Sequence, residues 1–443
     1  MAIGDPSSVG TLRPADLPKA GRGLGRHFTA MLLWQIGNYL VPLVTFPYLT
    51  RVLGPAQFGV LGYVSAMAIY GTVLTEWGFN LSGPRAVAQC RHIPVVLNQL
   101  IWSTMGAKAV LCALSFAALL LVLHFDHRVS AGTNVVLLSW LTVVGNVFTL
   151  NWLLQGIERF ALFAVVSLAG RFITLPLTFL FVRGTDDVAA AVVIQAAAPL
   201  LGGVCSLVVV SRLGLLGRPI VSWHQVWKRI VEGADMFVAT ASVSLFSATN
   251  AIILGSLAGS YQVGLYTAAD KLKTVGNMVP AQINTVLYPR VCALFAEQRV
   301  DRTRTAAKLT LFGALATVAT TGVGVVLIVL LAGPLTGWVL GARYEGSASI
   351  LTLLCTATLF GNLAYFLGLQ VIVPFGGTRR RSGAMLAAGV LNVVLALVLV
   401  PHFGAEGAAI AFLIAEAAVL GAYVVFILGS APLRGHFTQL LNR

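Results

Sequence analysis

The chain is predicted to be an all-α polytopic membrane protein, with about 12 transmembrane helices in two pseudo-symmetric six-helix halves and both termini cytoplasmic. Three observations predict this: an excess of apolar residues, apolar runs of bilayer-spanning length, and cations confined to alternate loops. Of 443 residues, 58% are apolar and 10% charged, with a mean hydropathy of +0.88, whereas soluble domains carry roughly 25% charged residues. A water-soluble fold is excluded. The 45 glycines give many helices small faces, which allows close approach where no hydrophobic effect drives helices together.

A helix needs about 20 apolar residues to cross roughly 30 Å of hydrocarbon. Runs of that length fall near 28–50, 58–80, 98–124, 133–154, 160–182, 188–210, 234–256, 263–288, 306–332, 348–373, 382–401 and 405–428. Assigning alternate loops to opposite sides places 21 of the 29 Lys and Arg inside, 4 outside and 4 within spans. Cationic flanks stay on the cytoplasmic side, and one missed helix would scramble the alternation. The same distribution accounts for the net charge of +14 without a nucleic-acid partner. The five cysteines (Cys90, Cys112, Cys205, Cys292, Cys355) lack metal-ligand spacing and an even secreted framework, so no disulfide is expected.

The domain organisation follows. Residues 1–27, rich in Pro, Gly and Arg without an apolar core, read as a disordered cytoplasmic tail rather than a signal peptide. Residues 28–210 form the N-terminal half, 211–233 a cytoplasmic linker, 234–428 the C-terminal half and 429–443 a second tail. In the linker, Trp223, Val226, Trp227 and Ile230 recur at i, i+3, i+4, i+7, the stripe of an interfacial amphipathic helix. A faint internal repeat relates the halves. An offset of 205 places Gly59 on Gly264 and Pro84-Arg85 on Pro289-Arg290; an offset of 218 places Val188 to Ala191 on Glu406 to Ala409. Repeated halves of the same orientation are a transporter architecture, with the substrate path between them.

Five stretches resemble one family, the polysaccharide transporters or lipid-linked oligosaccharide (O-antigen type) flippases, within the superfamily of multidrug, oligosaccharidyl-lipid and polysaccharide exporters. Pro47-Tyr48-Leu49-Thr50-Arg51-Val52-Leu53-Gly54-Pro55 with Phe58-Gly59 resembles the family's opening motif. Trp77 to Ala88 is similar to a stretch typical of O-antigen flippases, and Trp152-Leu153-Leu154-Gln155-Gly156-Ile157-Glu158 looks like its Trp-x-x-Gln-Gly-x-Glu element. Val263 to Leu272 and Pro401 to Ala409 are similar to its eighth-span and final-hairpin motifs. The resemblance implies a multi-pass protein of the bacterial inner membrane. Its partners would be membrane lipid and an undecaprenyl-pyrophosphate-linked glycan, which it would turn to the outer leaflet for O-antigen, capsule or exopolysaccharide synthesis. Other polysaccharide-assembly proteins are further candidate partners.

The residues themselves point to an interior. A charge at the bilayer centre costs about 2.5–3.5 kcal/mol on insertion scales, so the intramembrane cations Lys108, Arg171, Lys271 and Lys273 must face a cavity, snorkel or pair. Cations along a cavity suit a pyrophosphate; alternatively each neutralises a helix end or a carboxylate. Asp270, Lys273, Asn277 and Asn284 share one helical face, although Asp270 and Lys273 can also pair at i, i+3. Gln35, Asn38, Pro42 and Thr45 on the first span, and Ser139, Thr142, Asn146 and Thr149 on the fourth, repeat the same polar spacing. Each series is read as sugar contact or as interhelical hydrogen bonding. Tyr63, Tyr70 and Trp77 fall seven apart, suited to stacking on sugars or to helix contacts. Pro42, Pro47 and Pro280 should bend their helices. Glu76 and Glu416 are isolated carboxylates, candidates for proton or sodium coupling, and Arg379 to Arg381 read as a topogenic anchor.

No phosphate-binding loop, His-Glu-x-x-His or Gly-x-Ser-x-Gly occurs in the sequence. The expectation is a transporter without a catalytic motif, a metal or an organic cofactor. The alternative within the same fold is a cation-coupled multidrug exporter; a membrane glycan polymerase or acyltransferase is disfavoured by the short outer loops.

Overall fold

In the computed structural model the described residues are 20–125, 132–219, 221–296 and 300–430. They are helical almost throughout, and no strand occurs among them. This is the outcome lipid imposes, because every backbone polar group at membrane depth must be satisfied internally. The first half comprises α1 (Ala20–Glu76), α2 (Phe79–Cys90), α3 (Pro94–Phe125), α4 (Thr133–Ser139), α5 (Leu141–Val147), α6 (Asn151–Gly156), α7 (Phe160–Phe181) and α8 (Val188–Arg212). The second comprises α9 (Trp223–Leu257), α10 (Ser260–Gly276), α11 (Met278–Ala296), α12 (Val300–Val339), α13 (Ser347–Leu367) and α14 (Thr378–Gly429). Among the described residues, 8 helical segments are long and apolar enough to cross a bilayer.

Two of those segments are hairpins. Gly54 interrupts α1 with φ 68° and ψ 172°, and Phe46 and Phe58 on either side of it have ring centroids 5.8 Å apart, where a straight helix would separate them by about 18 Å. Gly404 does the same in α14, with φ 55° and ψ −131°. A Cβ on Gly407 would lie 2.5 Å from the Leu399 carbonyl oxygen. The third hairpin turn, between α9 and α10, is Gly259, at φ 83° and ψ 168°. Gly259 is the 205-residue counterpart of Gly54, so the repeat is written in the backbone as well as in the sequence.

The halves meet where the repeat counterparts touch. A Cβ on Gly59 would lie 1.7 Å from the Ser260 carbonyl oxygen, and one on Gly264 would lie 1.9 Å from the Pro55 carbonyl oxygen. Pro55 and Ser260 are themselves related by the same offset, so the two contacts are one contact seen from each side of a local two-fold axis. Nearby, Tyr344 donates to the Thr50 carbonyl at 3.2 Å, and Arg51 donates to the Trp338 carbonyl. At the far end of α10 and in α11, by contrast, Gly276 has no neighbour within 4 Å and Val275, Val279 and Val286 are exposed.

Several expectations need correcting. Helix α1 begins at Ala20, inside the segment expected to be an unstructured tail; residues 1–19 and 431–443 of the expected tails lie outside the described residues. The fourth span, expected over 133–154, is found as one apolar segment, Thr133–Gly156, within which the helix is interrupted to give α4, α5 and α6. The expected linker helix is the first part of α9, which continues into the membrane region. Its stripe is split, because the helix docks along one edge only: Val226 and Ile230 are 2% and 9% exposed, Trp223 and Trp227 65% and 57%. The buried pair packs with Phe79, Ala107 and Leu111. The Tyr63, Tyr70 and Trp77 series meets α9. Tyr63 fills the space beside Gly255, Tyr70 is hydrogen-bonded to Thr249, and Trp77 donates to the Ile230 carbonyl at 2.7 Å while stacking on Phe237 at 4.0 Å.

Candidate substrate cavity

Between the halves lies a cavity of about 920 Å3, lined from the first half by Asn38, Thr45, Glu76, Thr142, Asn146 and Arg171 and from the second by Tyr266, Thr267, Asp270 and Lys271. Six of the ten predicted site residues therefore line it: Asn38, Glu76, Asn146, Arg171, Asp270 and Lys271. Lys273, Asn277 and Glu416 line a second cavity, and Lys108 stands behind the wall of the first.

Arg171 is positioned by a proline. Pro42 has no N–H, so the Asn38 carbonyl four residues earlier loses its intrahelical donor. Arg171 Nη1 lies 3.4 Å from that oxygen and takes the vacant acceptor, leaving the remaining guanidinium donors directed at the cavity that Arg171 lines. Within α7, Thr174 donates to the Arg171 carbonyl at 3.0 Å.

Lys108 is positioned by the broken fourth span. Between α5 and α6 the backbone leaves the helix, with Leu150 at φ −106° and ψ 32°, and carbonyls of the last α5 turn are freed. Lys108, 1% exposed, donates to the Asn146 carbonyl at 3.1 Å, to Asn146 Oδ1 at 3.3 Å and to the Thr149 carbonyl at 3.4 Å. Ser206 accepts from the Leu150 N–H at 2.9 Å. Irregular backbone at membrane depth is tolerated where it is buried and satisfied in this way. Asn146 Nδ2 then donates to Glu76 Oε1 at 3.0 Å, so the expected isolated carboxylate is joined through an amide to a buried ammonium. Lys108 is corrected from a cavity-lining group to one that holds Asn146 and faces Glu76 from behind.

On α10 the pair foreseen at i, i+3 forms: Lys273 Nζ lies 2.5 Å from Asp270 Oδ1 and 4.5 Å from the Phe412 ring centroid. Lys271 lines the main cavity and forms no ion pair among the described residues. The polar face expected to run on to Asn284 is interrupted at Asn277, where α10 ends and α11 begins, one turn before Pro280. Asn277 Oδ1 accepts from Asn362 Nδ2 at 3.1 Å, and the Asn284 carbonyl accepts from Gln370 at 3.2 Å.

The segment 24–295 matches the polysaccharide biosynthesis protein family. Over 413 residues the chain is 30% identical to a protein of Escherichia coli (strain K12) described as an O-antigen transporter, covering 91% of this chain and 96% of the relative. The chain belongs to the polysaccharide biosynthesis protein family. A second relative described in the same words, from Shigella dysenteriae, is 24% identical over 403 residues, covering 89% of this chain and 98% of its own length. The fold of this family member is shared with the lipid II flippase MurJ in an inward closed conformation, at a TM-score of 0.64 and 14% identity, covering 93% of this chain and 90% of MurJ. It is shared equally with a multidrug resistance transporter of the MATE family in an inward-facing conformation. That comparison gives a TM-score of 0.68 and 17% identity, covering 92% of this chain and 99% of the other. The protein is thus a multi-pass membrane transporter of polysaccharide-biosynthesis type.

Two residues of the family motifs carry unusual backbone. Trp77 and Glu158 have φ of 45° and 60°, a region that costs a non-glycine residue of order 1–3 kcal/mol. Each is held by a distant contact: Trp77 by the Ile230 carbonyl, Glu158 by Arg91 at 2.8 Å. The sequence reading also missed Arg381. Arg379 and Arg380 are exposed as an anchor should be, but Arg381 turns inward and lines the second cavity. A buried network of Asn250, Asn392 and Tyr266, with bonds of 3.0 Å, was missed as well. Intramembrane amides were its only signal.

Proposed function

We propose that this transporter moves an undecaprenyl-pyrophosphate-linked oligosaccharide repeat unit from the cytoplasmic to the periplasmic leaflet of a bacterial inner membrane by alternating access. The observation that carries the reading is the charge of the main cavity. Arg171, Lys271, Glu76 and Asp270 line it; Lys108 stands behind the wall, joined to Glu76 through Asn146, and Lys273 pairs with Asp270 from the second cavity. With Glu76 and Asp270 countered from behind in this way, Arg171 and Lys271 present two positive charges to the cavity, the complement of a pyrophosphate diester. In a low-dielectric interior an unmatched dianion is prohibitive, and fixed counter-charges remove that barrier.

The positive-inside distribution puts the end of the bundle that carries Arg85, Arg91 and the Arg379 to Arg381 run at the cytoplasm. The Gly59–Gly264 contact then closes the periplasmic end. Headgroup entry from below, parting of that contact as the halves rock, and release above complete the cycle, with the lipid tail remaining in the bilayer. Glu76 and Glu416 are the carboxylates available for proton or sodium coupling.

The experiment is reconstitution. Proteoliposomes containing the protein should transfer a fluorescent polyprenyl-pyrophosphate oligosaccharide between leaflets. Failure with that lipid, together with export of cationic drugs, would establish the multidrug reading instead.

A further inference from the structure

A second cavity of about 270 Å3 lies beside the main one, enclosed by α10, α13 and both arms of α14. The Asp270–Lys273 ion pair stands between them, since Asp270 lines the main cavity and Lys273 the second. Two charged groups that line this space are only partly satisfied by hydrogen bonds from the protein. Arg381 Nε is buried with no hydrogen bond, its guanidinium 5.8 Å from the Tyr365 ring centroid. The Glu416 carboxylate shares this cavity with Lys273, its electrostatic counterpart. It lies against Gly361, where a Cβ would approach it to 2.8 Å. Asn362 and Asn277 supply amides to the same wall.

A buried donor such as Arg381 Nε is normally satisfied, so the chemistry that fits this cavity is constrained by the charges of both signs on its wall. An anion would meet Arg381 and Lys273 and be repelled by Glu416. A cation would meet Glu416 and be repelled by Arg381 and Lys273. A ring of hydroxyl groups meets both, because each hydroxyl donates and accepts, and its C–H face suits the Tyr365 and Phe412 rings. The volume falls just below the roughly 300–1,000 Å3 of sites for drug-sized ligands, which fits a single ring rather than a whole repeat unit.

We infer that this cavity is a subsite for one sugar of the transported glycan, a ring beyond the one attached to the pyrophosphate, hydrogen-bonded by Arg381, Asn362 and Glu416. The inference rests on the flippase reading, and the two are separable by experiment. The full-length protein is reconstituted with two lipids: undecaprenyl pyrophosphate bearing a single N-acetylglucosamine, and the complete lipid-linked repeat unit that accumulates in the source cells on depletion of this protein. Transfer is read as the fraction of sugar exposed to a membrane-impermeant oxidant. Asn362→Ala and Arg381→Met should each lower the ratio of complete-unit to single-sugar transfer roughly tenfold, the scale of one lost charged or doubled hydrogen bond. An unchanged ratio, whether both rates fall together or neither falls, overturns the subsite. If Glu416→Gln slows both lipids alike and removes dependence on an ion gradient, the cavity is a coupling site and the subsite is again overturned. If the unaltered protein moves neither lipid, the flippase reading itself fails, and this inference with it.

Discussion

Lys108 Nζ lies 3.1 Å from the Asn146 carbonyl oxygen and 3.3 Å from the Oδ1 of the same residue, so one ammonium terminates a helix and orients the amide that faces the cavity. Lys108→Met should leave the Asn146 carbonyl to the Thr149 N–H and hydroxyl, remove the ammonium from the Thr149 carbonyl and from Asn146 Oδ1 at about 1–3 kcal/mol, and release Asn146 from Glu76. The measurement is thermal stability in detergent for Lys108→Met, Glu76→Gln and the double variant. Because the groups form one network, the double variant should be less damaged than the sum of the singles by about 0.5–3 kcal/mol. Strict additivity would mean that Glu76 and Lys108 do not communicate.

Arg171 and Pro42 form a second such unit. Arg171→Ala should insert normally and lower glycan-lipid transfer by roughly tenfold or more, the scale of lost charged hydrogen bonds. Pro42→Ala restores a donor to the Asn38 carbonyl and makes Arg171 redundant there. That variant should be more thermostable than the parent and slower in transfer. Full transfer by Arg171→Ala would remove this residue from the substrate path.

The contact between the halves gives a steric prediction. Ala at Gly59 or Gly264 places Cβ within 2 Å of a backbone oxygen, so the helices must part; Ala at Gly62 meets Thr267 Oγ1 at 2.7 Å, a side chain that can rotate away. Gly59→Ala and Gly264→Ala should lose transfer and thermal stability together, and Gly62→Ala should be milder in both. Equal behaviour of the three variants would contradict closure at this crossing.

Sidedness is testable without substrate. After replacement of the five native cysteines, Arg343→Cys should react with an impermeant maleimide in intact cells with opened outer membranes. Arg379→Cys, exposed on its helix, should react only after the inner membrane is permeabilised. The opposite pattern would invert the assignment of the closed end to the periplasm.

The sequence was informative wherever a feature is periodic or repeated. Hydropathy revealed the helical class, and the 205-residue offset singled out Gly59 and Gly264 before their contact was known. Helical phase also grouped Asn38 with Pro42 and Thr45. It was silent on what each face meets. Tyr63, Tyr70 and Trp77 share a phase with no cavity behind it, because α9 covers them. Lys108 was recognised as costly, but its partner is a helix end created by the break before Leu150, which no local residue type announces. Arg381 was hidden by its neighbours: three consecutive arginines read as one anchor, yet successive side chains point about 100° apart on a helix, and the third turns inward.

The crossing of Gly59 with Gly264 has a historical reading. An interface in which residue i meets the counterpart of i is isologous, the kind that two identical subunits make with each other about a two-fold axis. A six-helix ancestor that paired with itself in one orientation would have used a single glycine for this contact, and duplication followed by fusion would have kept it as two. On that view the segment joining α8 to α9 is a tether added to an assembly that already existed. The two halves, expressed as separate chains cut between Leu213 and Ser222, should still find each other.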